Sequence, residues 1–173
     1  MSAQTTTAQT TTKKAFTCNL VTIRSKKSFG EVTKAIESMF QRFDLDKLRK
    51  LTEAKDAKAV AQYVDQVSKP HPFSLFFKFD QGPIFRLAGI PIESRFYLFG
   101  NATIAQGLFK YSPVSGLGAP VRFCVSQRDG DEETRIDIDE PSSFFSQLPE
   151  LNASSVPAEL DEKMIRLLQQ AAE

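Results

Sequence analysis

The stretch RFYLFGNATIAQGLFKYSPVSGLGAPVRFCVSQRDGDEETRIDIDEPSSFF, residues 95–145, decides the fold of this chain of 173 residues. Alternating apolar side chains predict a strand that ends at Gly100, and Asn101 can cap a helix that follows directly. Two further strand patterns lie on either side of Asp129-Gly130, a dipeptide typical of tight hairpin turns. The order strand, helix and hairpin indicates a small domain that combines a sheet with helices.

The register of the hairpin follows from its turn. A turn centred on Asp129-Gly130 places Phe123 opposite Ile136 on one face and Arg122 opposite Asp137 on the other. Apolar residues then face each other, and so do opposite charges. A loop two residues longer would keep these faces but shift the partners.

Working outward, the remaining patterns complete the domain. Ser28 with Glu31 forms a capping box for a helix that has an apolar stripe. The other predicted elements are strands at 16–24 and 73–79, extra helices within 44–68 and a final helix over 157–172. We expect an α+β fold: a single compact domain over 15–173, with a mixed, mostly antiparallel sheet of about five strands and helices mainly on one face.

Two segments fall outside this regular pattern. The start, residues 1–14, is rich in Thr and lacks apolar anchors, so we expect a disordered tail. The segment 82–92 reads as a loop because of Gly82-Pro83 and Gly89, yet it is unusually apolar. Such a loop is expected to cover either the core or a partner subunit.

Composition excludes several classes of function. Lys and Arg total 22 against 21 Asp and Glu, so no basic field exists to attract nucleic acid. No apolar run reaches the length of a membrane span, and because the first residues lack a charged head followed by an apolar stretch, we expect no secretory signal. Cys18 and Cys124 lack partners at metal-ligand spacing, and as reduced thiols they fit a cytoplasmic location. We expect neither a metal site nor a cofactor.

The segment from Phe96 to Phe145 resembles the family called domain of unknown function 302, and the match extends more weakly back to Phe73. Members typically show a strand ending in Phe-Gly-Asn, a short helix, a Gly-x-x-x-Pro approach, and two strands around an acidic-glycine turn before Pro. Here those features fall on Phe99, Gly100, Asn101, Gly116, Pro120, Asp129, Gly130 and Pro141.

This resemblance implies a compact α+β fold and a tendency to form homodimers, but no settled activity. Many members carry Tyr-Asn-Asp-Pro at the end of the last strand, where this chain has Ile138, Asp139, Glu140 and Pro141. A role that depends on that aromatic hydroxyl is therefore not expected here.

The candidate binding residues come from three features of the sequence. A helix N-terminus at Asn101 offers free N–H donors, although Asn101 can also serve as a cap alone. Seven of the fifteen Phe lie within 73–99, a region that is either core, dimer interface or a pocket. The acidic cluster at the hairpin is either an acid–base pair or a set of solvated edge charges. The resulting candidates are Arg95, Tyr97, Asn101, Arg122 and Asp137.

Two hypotheses for function remain, because His71 is the only histidine and no catalytic set is evident. The first is a noncatalytic, dimeric domain that binds a small apolar or anionic-aromatic molecule or a protein partner. The second is a cofactor-free isomerase, cyclase or lyase. It would use carboxylates, Tyr97 and Arg95 in a pocket rich in Phe.

Overall fold

The structure, a computed structural model, describes residues 11–151 and 154–173. Within them the strands are β1 (Leu20–Ser25), β2 (Gln41–Arg42), β3 (Ser74–Asp80), β4 (Ile92–Gly100), β5 (Val121–Arg128) and β6 (Thr134–Asp139). The α-helices are α1 (Phe29–Met39), α2 (Leu45–Glu53), α3 (Ala57–Val67), α4 (Gly82–Leu87), α5 (Ala102–Phe109), α6 (Pro141–Phe145) and α7 (Val156–Ala172). The predicted α+β fold is confirmed.

The strands form one mixed sheet in the order β1-β6-β5-β4-β3-β2. All neighbours are antiparallel except β2 and β3, which pair in parallel through two residues each. The sheet therefore has six strands rather than the expected five. The extra strand, β2, is too short to produce an alternating pattern in the sequence.

The helices pack mainly on one face of this sheet, as expected. Tyr97 and Phe123 stack there with ring centroids 4.7 Å apart, and Phe99 meets Phe123 edge-on at 4.8 Å. Helices α1 and α7 cover these rings with fully or almost fully buried side chains, among them Ile36 and Met164. The opposite side of the sheet, which we call the open face, carries Phe77, Phe79, Phe96, Leu98 and the polar residues of β5 and β6.

The hairpin forms, but its predicted register is wrong by two residues. Phe123 pairs with Ile138, and Val125 takes the place opposite Ile136. The faces are as predicted. The loop is longer because the Asp131 side chain accepts a hydrogen bond from the Arg128 N–H at 3.2 Å, and Gly130 adopts a left-handed conformation with φ of 88°.

Two other expectations need correction. The first strand begins at Leu20, and residues 16–19 instead lie beside α6, where Phe16 stacks on Phe144 with centroids 5.3 Å apart. The apolar segment expected as a loop contains α4, which has Pro83 in its first turn, a position that suits proline. The tail expected to be disordered, residues 1–14, lies largely outside the described residues. Its disorder and the domain bounds remain predictions.

The two extra helices predicted within 44–68 are present as α2 and α3. They enclose a second, smaller apolar cluster around Phe43, which stacks on Phe76 with centroids 4.4 Å apart. The Tyr63 hydroxyl donates to the Asp44 carbonyl at 3.2 Å. This cluster adjoins the carboxyl end of β4, where Asn101 caps α5.

Candidate functional site

Asn101 joins three elements at the end of β4. Its Oδ1 accepts hydrogen bonds from the N–H groups of Thr103 at 2.8 Å and Ile104 at 3.0 Å. Its Nδ2 donates to the Pro72 carbonyl at 2.9 Å and to the Ser68 hydroxyl at 3.1 Å. The cap therefore uses the carboxamide fully, and it locks α5 to the loop that precedes β3.

A cavity of about 310 Å³ opens beside this cap, and we call it the strand-end pocket. Fifteen residues line it, and only Asn101 and Gln106 among them have polar side chains. The lining residues are Phe76, Gly100, Asn101, Ala102, Ile104, Ala105, Gln106, Leu108, Phe109, Ala119, Pro120, Val121, Phe145, Leu160 and Met164. No charged residue contributes to the lining.

Arg95 and Tyr97 lie together, but at a different place. Both contact the carboxylate of Glu37 on α1: Oε1 accepts from the Tyr97 hydroxyl at 2.9 Å and from the Arg95 guanidinium at 2.8 Å. Lys78 donates to the other carboxylate oxygen at 3.0 Å, and Arg95 also binds Asp80. We call these five residues the Glu37 cluster.

The protonation states of this cluster follow from its contacts. Burial raises the pKa of Tyr97 far above its usual value, so its hydroxyl stays protonated at neutral pH and acts as a donor. Burial alone would raise the pKa of Glu37. The hydrogen bonds from Lys78 and Tyr97 outweigh it and lower that pKa. A tyrosine that stays protonated and a carboxylate that stays ionised are poorly suited to exchange protons near pH 7.

Arg122 and Asp137 lie on the open face, away from both places. Arg122 forms an ion pair with Asp139. Asp137 accepts hydrogen bonds from Arg135 at 2.9 Å and from the Thr22 hydroxyl at 2.5 Å. The five candidate site residues therefore fall into three separate groups: Arg95 with Tyr97, Asn101 alone, and Arg122 with Asp137.

Sequence reasoning did not find Glu37, the residue that brings Arg95 and Tyr97 together. It follows the buried Ile36 on the helix, and no local signal marks it. Sequence reasoning also missed that Leu160 and Met164 of α7 close the strand-end pocket, because their helical spacing is typical of any core-facing helix. His71 packs edge-on against Phe40 with centroids 6.0 Å apart.

Two further features of the described residues bear on the class of site. Across 11–151 and 154–173, no three His, Cys, Asp or Glu side chains gather as metal ligands would. Within the same ranges, no helix combines the length and apolar character that crossing a bilayer requires.

Comparison with known proteins agrees with this architecture. Among solved structures, the chain is similar to an uncharacterized conserved protein DUF302 from Bacillus stearothermophilus, with a TM-score of 0.61 and 12% identity. That similarity covers 89% of this chain and 98% of the other. No curated protein matches. A family model, the domain of unknown function DUF302, matches residues 48–171. The chain therefore belongs to the DUF302 family.

Proposed function

We propose that this chain is a noncatalytic, dimeric domain that binds a small apolar molecule in the strand-end pocket. The observation that carries the proposal is the lining: about 310 Å³ of space bounded by apolar side chains except at Asn101 and Gln106. Ligand sites are typically concave and mostly apolar, with few polar groups. Its location in the cytoplasm is part of the proposal and is supported by two cysteines that form no disulfide.

The size and charge of the pocket narrow the class of ligand. An apolar cavity of about 150 Å³ holds one benzene ring, so this pocket suits a molecule of about two rings. Asn101 already uses its carboxamide in the cap, which leaves the Gln106 side chain as the polar group for a ligand. Since no cation lines the pocket, a neutral ligand is favoured over an anionic one.

The Glu37 cluster supports the noncatalytic half of the proposal. A catalytic Tyr97 or Arg95 would need to face a substrate, but the Tyr97 side chain is fully buried and donates to Glu37. Arg95 is neutralised by Glu37 and Asp80. Paired in this way, these groups hold α1 against β3 and β4.

Binding of naphthalene, measured by thermal shift and by titration calorimetry, tests the pocket. We expect naphthalene to raise the melting temperature of the wild-type chain, and 2-naphthoate to do so less. Ala105→Phe, which fills the pocket, should abolish the shift. Ala61→Phe is the matched control, because it adds the same ring at an exposed position of α3. It should leave the shift unchanged.

Two results would contradict the proposal. One is the absence of any naphthalene-dependent shift in the wild-type protein. The other is loss of binding in Arg95→Ala while Ala105→Phe still binds, since that pattern would move the site from the strand-end pocket to the Glu37 cluster.

A further inference from the structure

Strand β3 has an unused edge over most of its length. On one side it pairs with β4 from Ser74 to Asp80. On the other side β2 reaches only Ser74 and Leu75. In the part of the chain that the structure describes, no strand pairs with the outer side of Phe77–Asp80. Such an edge offers backbone donors and acceptors to another strand.

The side chains along this unpaired part of β3 are unusually apolar for an exposed strand edge. Phe77 is 48% exposed and Phe79 43% exposed, and their rings stack with centroids 6.4 Å apart on the open face. Other large apolar residues are exposed in the segment that follows β3, namely Ile84, Phe85, Leu87 and Ile90. An apolar surface joined to a free edge is typical of an interaction site.

The backbone orientation along this edge follows from one hydrogen bond. The N–H of Gln81 donates to the Ser94 carbonyl at 2.9 Å and so points toward β4. Because N–H groups alternate sides along a strand, Phe79 and Phe77 also point toward β4. The N–H and C=O groups of Lys78 and Asp80 point outward.

We infer that a second copy of this chain pairs with this edge, β3 against β3 in antiparallel orientation about a twofold axis. A twofold axis perpendicular to a continuous sheet keeps the faces aligned. Each side chain must then lie opposite one from the same face. Of the registers that satisfy this condition, one centred on Lys78 places Lys78 opposite Lys78 of the second copy. Another, centred on Asp80, places Asp80 opposite Asp80 of the second copy. Like charges directly opposite each other are destabilising.

The register centred on Phe79 has neither fault. It sets Lys78 opposite Asp80 of the second copy, and the reverse by symmetry, as the two hydrogen-bonded pairs. Phe79 faces Phe79 of the second copy between them, in the position where opposing side chains lie closest. The outward-pointing backbone groups are therefore the ones that form the intermolecular hydrogen bonds. On the helix-covered face, opposite charges lie opposite each other.

The existing ion pairs extend this complementarity. Lys78 binds Glu37 at 3.0 Å while its side chain remains 36% exposed, and the Asp80 side chain, which binds Arg95, remains 45% exposed. In the dimer, the charged side chains across the interface would follow the order Glu37 and Lys78 of one copy, then Asp80 and Arg95 of the second copy. This row alternates in sign. The inference rests on the dimer in the proposed function, not on the strand-end pocket.

Sedimentation velocity over a concentration series tests the edge. Lys78→Pro removes an outward N–H that β4 does not use, and proline is tolerated at such a position. We expect it to weaken the dimer at least about tenfold, because two intermolecular hydrogen bonds are lost. Lys78→Ala keeps the N–H and controls for the lost side chain. Far-UV circular dichroism checks that both variants are folded.

Disulfide trapping tests the register in a Cys18→Ser, Cys124→Ser background. In Phe79→Cys the two Cα atoms lie about 4.5 Å apart across the twofold axis, within the range for a disulfide. In Phe77→Cys, the matched control, the two positions are about 13 Å apart along the strands. We expect oxidation to link Phe79→Cys and not Phe77→Cys.

The possible results distinguish failure of the proposed dimer from failure of the inferred surface. A monomeric wild-type protein at all concentrations would overturn both the dimer and its surface. A stable dimer that Lys78→Pro leaves intact, or that Phe79→Cys fails to trap, would overturn this surface alone. Naphthalene binding is independent of all three outcomes.

Discussion

Replacement of Asn101 by alanine should destabilise the protein more than an ordinary loss of a helix cap. The cap itself, through Thr103 and Ile104, contributes about 1 kcal/mol to the free energy of unfolding. The bonds from Nδ2 to Pro72 and Ser68 add about 0.5–1.5 kcal/mol each. The sum predicts a loss of about 2–4 kcal/mol in Asn101→Ala.

Asn101→Asp separates the contribution of the helix cap from that of the hydrogen bonds donated by Nδ2. The carboxylate still accepts from the helix N–H groups but cannot donate to the Pro72 carbonyl or to the Ser68 hydroxyl, so we expect a loss of about 1–3 kcal/mol. Urea unfolding followed by far-UV circular dichroism measures both variants, and comparable m-values show that the same transition is being compared.

The result that would refute this reasoning is an Asn101→Ala variant within about 0.5 kcal/mol of the wild type, the range of ordinary surface changes. If that variant also failed to bind naphthalene, Asn101 would have a role as a ligand contact rather than as a cap.

Three further predictions concern the core and the Glu37 cluster. Tyr97→Phe should lower the free energy of unfolding by about 1.5–3 kcal/mol, because it removes the hydrogen bond that the buried Tyr97 donates to the partly exposed Glu37 carboxylate. Tyr111→Phe, at an exposed position, should change the free energy of unfolding little in the same urea assay. Gly118→Ala should lower the free energy of unfolding by about 1–3 kcal/mol, because a Cβ at this position would lie 2.7 Å from the Phe144 ring. Gly30→Ala is the control, since nothing lies within 4 Å of a Cβ there, and equal destabilisation of the two variants would contradict the steric argument. Folding lowers the pKa of Glu37 from its ordinary value of 4.5, so the ionised Glu37 stabilises the fold above about pH 4.5 and this contribution is lost as pH falls through the folded pKa. The difference in free energy of unfolding between wild type and Glu37→Gln, measured by chemical unfolding, should therefore narrow below about pH 4.5. A difference that stays constant from pH 3 to 7 would exclude this linkage.

The elements that sequence predicts well are those whose signals are local. The capping box at the start of α1 is present: the Ser28 N–H donates to the Glu31 carboxylate at 2.8 Å, and Ser28 Oγ accepts from the Glu31 N–H at 3.4 Å. The cap of α5 by Asn101 is equally predictable, because Asn101 and the N–H groups that it caps lie within four residues of each other. The α+β class follows once such elements are placed in order.

The features that sequence does not reveal depend on distant contacts. Glu37 acquires its role from Lys78, Arg95 and Tyr97, which belong to strands far along the chain. The hairpin register depends on a longer loop, in which the Arg128 N–H donates a hydrogen bond to the Asp131 carboxylate. The strand-end pocket needs α5, β5 and α7 together, so its existence is a property of packing and not of any one segment.

The position of β1 at the border of the sheet has a consequence for synthesis on the ribosome. Its partner is β6, and the contact between Thr22 and Asp137 spans 115 residues of chain. At a translation rate of about 5–20 residues per second, the first strand emerges roughly 6–23 s before the strand that completes it. In the nascent chain, β1 therefore remains without its partner strand, and exposed to aggregation, until β6 has been translated. Slower translation lengthens that exposure.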